Sequence, residues 1–134
     1  MRIQCSNCQA INAIEPGERG IDFACGRCEQ TITAPETSLA RGVVLGDFVL
    51  IEAVVKRTHE TDFLAQQISL ERPAVVKVMN PELSAKSEFI QEFLAAARQL
   101  SRLCHPNICP LYAIGREDDV FYLARESGPA TSLK

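Results

Sequence analysis

Two Cys-x-x-Cys pairs, Cys5/Cys8 and Cys25/Cys28, stand sixteen residues apart at the head of a 134-residue chain. Nothing else in the sequence constrains the fold as tightly. Two residues between thiolates let one tight turn aim both sulfurs at a single ion, and two such turns complete a tetrahedron with bonds of roughly 2.3 Å. With cysteine at all four positions no coordination site stays open, so the metal implied is structural, not catalytic. Zinc is the expected ion; thiolate ligands leave iron as the alternative. Redox dithiols fit less well, because such pairs open a helix in an α/β context that this segment lacks. A disulfide framework calls for export, yet Met1-Arg2-Ile3-Gln4-Cys5 runs at once into a polar loop and does not read as a signal peptide. No run approaches the roughly 18–20 apolar residues that span a bilayer. The expected compartment is therefore the cytoplasm, with no membrane partner.

Fourteen Lys+Arg stand against seventeen Asp+Glu, a net charge of −3 that excludes a general binder of phosphate backbones. The segment Ala34-Pro35-Glu36-Thr37-Ser38-Leu39-Ala40-Arg41-Gly42 is small, polar and punctuated by Pro and Gly, which reads as a linker. The expected organisation is a cysteine module at 1–34, a linker at 35–42 and a larger module at 43–134. The first is too short to bury a core and needs a staple. Ala10–Ile14, Ile21–Ala24 and Thr31–Thr33 read as its short strands around the turn Glu15–Gly20, with Gly26 supplying positive φ in the second knuckle. These residues resemble a four-cysteine zinc ribbon, and metal-free protein is expected to lose order in residues 1–34 only. Arg2, Arg19 and Arg27 are offset by Glu15, Glu18, Asp22 and Glu29, and Phe23 is the one aromatic. A nucleic-acid adaptor is thus the weaker reading, and protein docking or plain spacing the stronger.

In the larger module, Leu45–Val55 is rich in β-branched residues and reads as a strand, followed by Asp62–Gln67 and by Pro73–Met79 with Lys77 inside an apolar run. From Pro81 to Leu103, Phe89, Phe93, Ala96/Ala97, Leu100 and Leu103 recur at helical spacing, with Ser84 or Ser87 available as a cap. Leu111–Ile114 and Val120–Ala124 form a hairpin around Gly115–Asp119. The order is three strands, one helix, two strands. Cys104-His105-x-x-x-Cys109 reads as buried thiols beside a packed histidine, not as a metal site.

Several of these segments together, in order, resemble the small lobe of the protein kinases, bacterial serine/threonine kinases in particular. Leu45-Gly46-Asp47-Phe48 is similar to the start of that lobe's first strand. Arg72-Pro73-Ala74-Val75-Val76-Lys77 is similar to its third strand, with Lys77 at the phosphate-pairing lysine. Phe93 to Ile108 resembles the end of its helix C and the loop beyond. Tyr122-Leu123-Ala124-Arg125-Glu126 resembles strand five running into the hinge, and Gly128 lies just past it. The resemblance implies an α+β fold: a small zinc ribbon plus a five-stranded antiparallel sheet with one main helix.

The departures shape the functional expectation. Where the family places a glycine-rich loop over the ATP phosphates, this chain reads Val55-Lys56-Arg57-Thr58-His59-Glu60, without glycine, and Glu60 would repel phosphate. Asp62 falls where an apolar residue roofs the adenine, and Ala96 where the helix-C glutamate pairs the lysine. Glu92, one turn earlier, is the nearest substitute for that glutamate; its bland reading is a solvated side chain. Arg125, at the gatekeeper position, is expected either to meet Asp62 across the slot or to be solvated. The chain stops at the hinge, before the catalytic loop and activation segment of the resemblance. The expectation is accordingly a non-catalytic, pseudokinase-like zinc-binding module, not an enzyme and without useful ATP binding. Its partner is expected to be a protein, or a second copy, on the exposed hinge-side and helix-C surface. The alternative is the first part of a longer serine/threonine kinase or pseudokinase that retains ATP binding.

Overall fold

The computed structural model describes residues 1–37, 39–80, 87–102, 111–117 and 120–126. Cys104, His105, Cys109, Ser84, Leu103 and Gly128 lie outside the described residues.

The cysteine module begins with β1 (Arg2–Gln4) and β2 (Ile11–Ala13), then a 3-10 turn (Pro16–Glu18), β3 (Asp22–Ala24) and β4 (Thr31–Thr33). The larger module holds β5 (Val43–Leu45), β6 (Phe48–Lys56), β7 (Glu60–Gln67), β8 (Arg72–Met79), helix α1 (Ser87–Ser101), β9 (Leu111–Glu117) and β10 (Val120–Glu126). Strands β6 to β10 are the five expected, in an antiparallel order β6-β7-β8-β10-β9. The single run expected at Leu45–Val55 is two strands, because Gly46-Asp47 makes a two-residue turn with Gly46 at φ +58°.

The sheet does not stop at five strands. Among the described residues it has eight, in the order β2-β1-β5-β6-β7-β8-β10-β9. Strand β1 pairs with β2 on one side and with β5 on the other, Arg2 opposite Val44 and Ile3 opposite Val43. The first hairpin of the cysteine module is therefore continuous with the main sheet. Ile3, Ile14 and Ala34 are buried in one core with Phe48, Leu50, Phe63, Val76, Val78 and Tyr122, and Leu39 and Ala40 of the connecting segment pack against it. A fully buried aliphatic side chain contributes about 1.5–3 kcal/mol, so Ile3 and Ile14 tie the two modules together through the core.

The sheet also curls back on itself. Six strand steps separate β1 from β9, which in a flat sheet places them roughly 29 Å apart at about 4.8 Å per step. Arg2 nonetheless grips Glu117 of β9 with both arms of its fork, Nε to Oε2 at 2.9 Å and Nη2 to Oε1 at 2.6 Å. The same Nη2 donates to the Gly46 carbonyl at 2.8 Å, and the Gly46 amide donates to Glu117 Oε1 at 3.0 Å. Tyr122 fills the space beneath this joint. A Cβ on Gly46 would overlap its hydroxyl, and one on Gly115 would stand 2.8 Å from it.

The outer face of β8 and β10 carries α1. Phe93 and Ala97, one turn apart, are buried against Met79 and Leu123, with Phe89 and Ile90 half-buried beside them. Glu88, Gln91, Glu92, Arg98 and Gln99 face outward, the amphipathic pattern expected of a surface helix.

We expect Gly46→Ala to lower unfolding stability by at least about 2 kcal/mol, since it adds a clash to a left-handed backbone position. Tyr122→Phe in the same chain should recover part of that loss in a denaturant melt; no recovery would place the defect elsewhere.

Candidate functional site: a four-thiolate centre and a charged cleft

The two cysteine knuckles are built alike. In each, the backbone closes a turn from the residue after the second cysteine to the first cysteine's carbonyl: Gln9 N to Cys5 O and Glu29 N to Cys25 O, both 2.9 Å. Gln9 and Glu29 both take φ +64°. The left-handed residue is thus the one following each second cysteine, and Gly26 is not in that conformation. Gly26 serves differently: its amide donates to Asn12 Oδ1 at 3.0 Å, steadying the asparagine whose Nδ2 points at Cys25 Sγ, 3.6 Å away.

All four sulfurs lie within 4.8 Å of one another. Cys5 Sγ is 3.7 Å from Cys28 Sγ, and Cys8 Sγ is 3.6 Å from Cys25 Sγ. A tetrahedron with bonds of roughly 2.3 Å to its centre has edges of roughly 3.8 Å, so the cage fits a thiolate-bound ion of zinc size. Its surroundings favour thiolate. Asn7 Nδ2 donates to Cys28 Sγ at 3.3 Å, Asn7 N to Cys5 Sγ at 3.4 Å and Arg27 N to Cys25 Sγ at 3.5 Å. The backbone amides of Cys28 and Arg27, followed by the Asn12 side chain, draw the Cys25 thiol down to about 6, and Asn7 and the Gln30 amide lower Cys28. At Cys8 the Ala10 backbone bond also favours thiolate, but burial and the neighbouring thiols outweigh it and push the group up to about 11. Four thiolates this close repel one another, so a cation at the centre would favour the fully ionised cage.

The second site is a cleft of about 440 Å³ between the β6–β7 turn, β8 and α1, lined by Arg57, His59, Glu60, Lys77, Glu92, Phe93 and Ala96 among others. Lys77 enters it from β8. In the β7–β8 register Asp62 stands opposite Lys77 and Glu60 opposite Met79, so Glu60 is Lys77's diagonal neighbour on one face, within reach of long side chains. The Lys77 ammonium pairs with Glu60 Oε1 at 3.4 Å. Glu92 and Ala96 line the same cleft from α1, Glu92 exposed and Ala96 half-buried. Asp62 is buried at 3% exposure and lies between two guanidinium groups, Arg57 Nη1 at 2.9 Å and Arg125 Nη2 at 3.9 Å. The Asp62 carboxylate, through its hydrogen bond and its charge, holds the Arg57 pKa above its usual value. Arg125 and Glu126 lie on β10 opposite Val75 and Ala74.

The turn that caps the cleft is held from below. Arg57 N donates to Glu60 O at 2.8 Å, while Asn80 donates its backbone amide to His59 O at 2.9 Å and its side-chain amide to Thr58 O at 2.8 Å. From the helix side, the His59 and Phe89 rings meet at 4.5 Å between centroids. Sequence reasoning singles out Glu60 only as a charge hostile to phosphate. The period-2 alternation that sets Glu60 and Asp62 on one face is the available signal for its pairing with Lys77.

Comparison with solved structures settles the architecture. The fold matches the Mycobacterium tuberculosis PknI kinase domain with a TM-score of 0.52 and 23% identity over 67% of this chain and 37% of that one. PpkA-294 in its apo form matches with a TM-score of 0.54 and 22% identity over 66% of this chain and 38% of that one. This is a protein-kinase small-lobe fold. In sequence the chain is similar to the serine/threonine-protein kinase PrkC of Bacillus subtilis (strain 168), 36% identical over 72 residues, 54% of this chain and 11% of that protein. It is also similar to the tyrosine-protein kinase MasK of Myxococcus xanthus (strain DK1622), 30% identical over 84 residues, 60% of this chain and 13% of that protein. No family model matches the chain. The chain spans little more than a tenth of the length of these relatives. The relatives are kinases and the structural neighbours are kinase domains, which overturns the expectation that the chain is not an enzyme. Among the described residues no helix is long and apolar enough to cross a membrane.

Cobalt(II) added to metal-free protein should give the intense sulfur-to-metal charge-transfer bands and tetrahedral visible bands of a four-thiolate site. Protons compete with the metal for thiolate, so affinity should fall as pH drops below about 11, where Cys8 takes up its proton, and more steeply below about 6, where Cys25 does too. Octahedral bands, or affinity that does not change with pH, would contradict this ligand set.

Proposed function

We propose that this chain is the nucleotide-side lobe of a serine/threonine-type protein kinase domain, built onto a structural zinc ribbon. The observation that carries the reading is Lys77. It lies on β8 between the capping turn and α1 and faces the cleft, at the position where the sequence resembles the phosphate-pairing lysine of the family. Two of the relatives, PrkC and the Clostridium perfringens protein, are named as serine/threonine kinases, which favours that substrate class. In this reading the lobe holds Mg-ATP, and phosphoryl transfer belongs to the whole kinase domain.

Zinc is the ion that best suits the ribbon. Four cysteine sulfurs at tetrahedral spacing leave no position for water or substrate, so the ion's part is to hold the two knuckles together. The hinge-side end of β10, where Arg125 and Glu126 are half-buried, is in this reading the side that receives the large lobe of a kinase domain. That large lobe takes the place of the separate protein partner expected from the sequence.

The test is a titration of the chain with Mg-ATP, followed by fluorescence of a nucleotide analogue or by calorimetry. Saturable binding is expected, weakened about tenfold in Lys77→Ala, which is about 1.4 kcal/mol. Lack of saturable binding both in the chain and in Glu60→Gln, with melting curves intact, or equal binding by Lys77→Ala, would contradict the reading.

A further inference from the structure

The capping turn is tied into the cleft by its own side chains. A glycine-rich cover works because its backbone amides are free to approach phosphate and because glycine lets the chain come close. Here the corresponding residues are committed elsewhere. The Arg57 amide is spent within the turn on Glu60 O at 2.8 Å. The carbonyls of Thr58 and His59 are both held by Asn80 at the end of β8. Glu60 occupies the ammonium of Lys77 at 3.4 Å, and Arg57 reaches back to the buried Asp62 carboxylate at 2.9 Å. His59 lies on Phe89 of α1 at 4.5 Å, which joins the tip of the turn to the helix across the cleft mouth.

From this arrangement we infer an autoinhibitory latch: residues 57–60, anchored by Asn80 and by the His59–Phe89 contact, hold Lys77 through Glu60 and keep nucleotide out until the turn lifts. The inference rests on the nucleotide-lobe reading above. Its physical content is competition. Glu60 and a phosphate oxygen are alternative anions for one ammonium, and only the open state leaves Lys77 available. Apparent affinity is then the open-state affinity scaled by the fraction open, so any change that loosens the turn without touching nucleotide must tighten binding. The absence of glycine from this turn is, in this account, what allows it to be held: each of its four residues supplies a side chain or backbone group to a named partner.

The experiment is a Mg-ATP titration of the chain with three single variants, each checked by thermal melting. Glu60→Gln removes the competing charge. Asn80→Ala releases the Thr58 carbonyl, keeps the backbone bond to His59 O, and alters no charge in the cleft. His59→Ala removes an exposed ring and is the variant least able to disturb the core. The latch requires all three to bind Mg-ATP at least about fivefold more tightly than the parent chain, and requires Lys77→Ala to cancel the gain. If only Glu60→Gln tightens binding, local charge repulsion suffices and the latch is overturned. If parent and variants bind equally well, the latch is overturned and the nucleotide-lobe reading stands. If none binds while all melt normally, both fall together.

Discussion

The bidentate grip of Arg2 on Glu117, together with the pairing of β1 on β5, is the constraint from which the rest of the molecule follows. Arg2 sits three residues before the first of the four clustered cysteines, and Glu117 ends the strand at the far edge of the sheet. A fork-to-carboxylate contact at this geometry is directional as well as attractive, and it holds only if the sheet curls until its two ends meet. The curled sheet encloses Ile3, Ile14, Phe48, Leu50, Phe63 and Tyr122 in one core. Gly46 is required at the joint because its carbonyl and amide both take part in the clamp while Tyr122 presses on it from within. The metal knuckles belong to the same system. Cys5 directly follows the residue that ends β1, so whatever holds Cys5 in place holds one strand of the kinase-like lobe.

On its other face the sheet presents charge in an unusual arrangement. Arg57, Glu60 and Lys77 in the cleft and Asp62 and Arg125 beside it are paired among themselves. Removing one partner from a buried carboxylate costs far more than the pair itself contributes, because an uncompensated charge remains. Asp62 avoids that cost by having two guanidinium groups near it. The charges that look like obstacles to ATP in the sequence are thus each set near an opposite charge in the fold. They describe a cleft whose charges face one another across the capping turn.

Much of this was legible in the sequence, for identifiable reasons. The cysteine spacing specifies a four-sulfur cage because two-residue turns leave few other geometries. The apolar run Pro73–Met79 with Lys77 inside it and the helical spacing of Phe89, Phe93 and Ala97 mark the sheet and helix that enclose the cleft. What escaped were features that depend on long-range packing. Arg2-Ile3-Gln4 is too short a segment to show strand periodicity, so its addition to the main sheet, and with it the tie between the two modules, could not be read. The left-handed positions in the knuckles fell on Gln9 and Glu29, where hydrogen-bonded turn closure overrides the residue preference that pointed to Gly26. The Lys77–Glu60 pair needed the β7–β8 register, which the turn alone does not announce.

The central claim is that the metal ribbon and the kinase-like lobe are one folding unit. Amide hydrogen exchange on zinc-loaded and metal-stripped protein tests it most directly. The account predicts that stripping the metal raises exchange in β5 around Val43 and Val44 and at the β9 end that carries Glu117, as well as in the knuckles themselves. Faster exchange confined to residues 1–34, with β5 and β9 as protected as before, would contradict it.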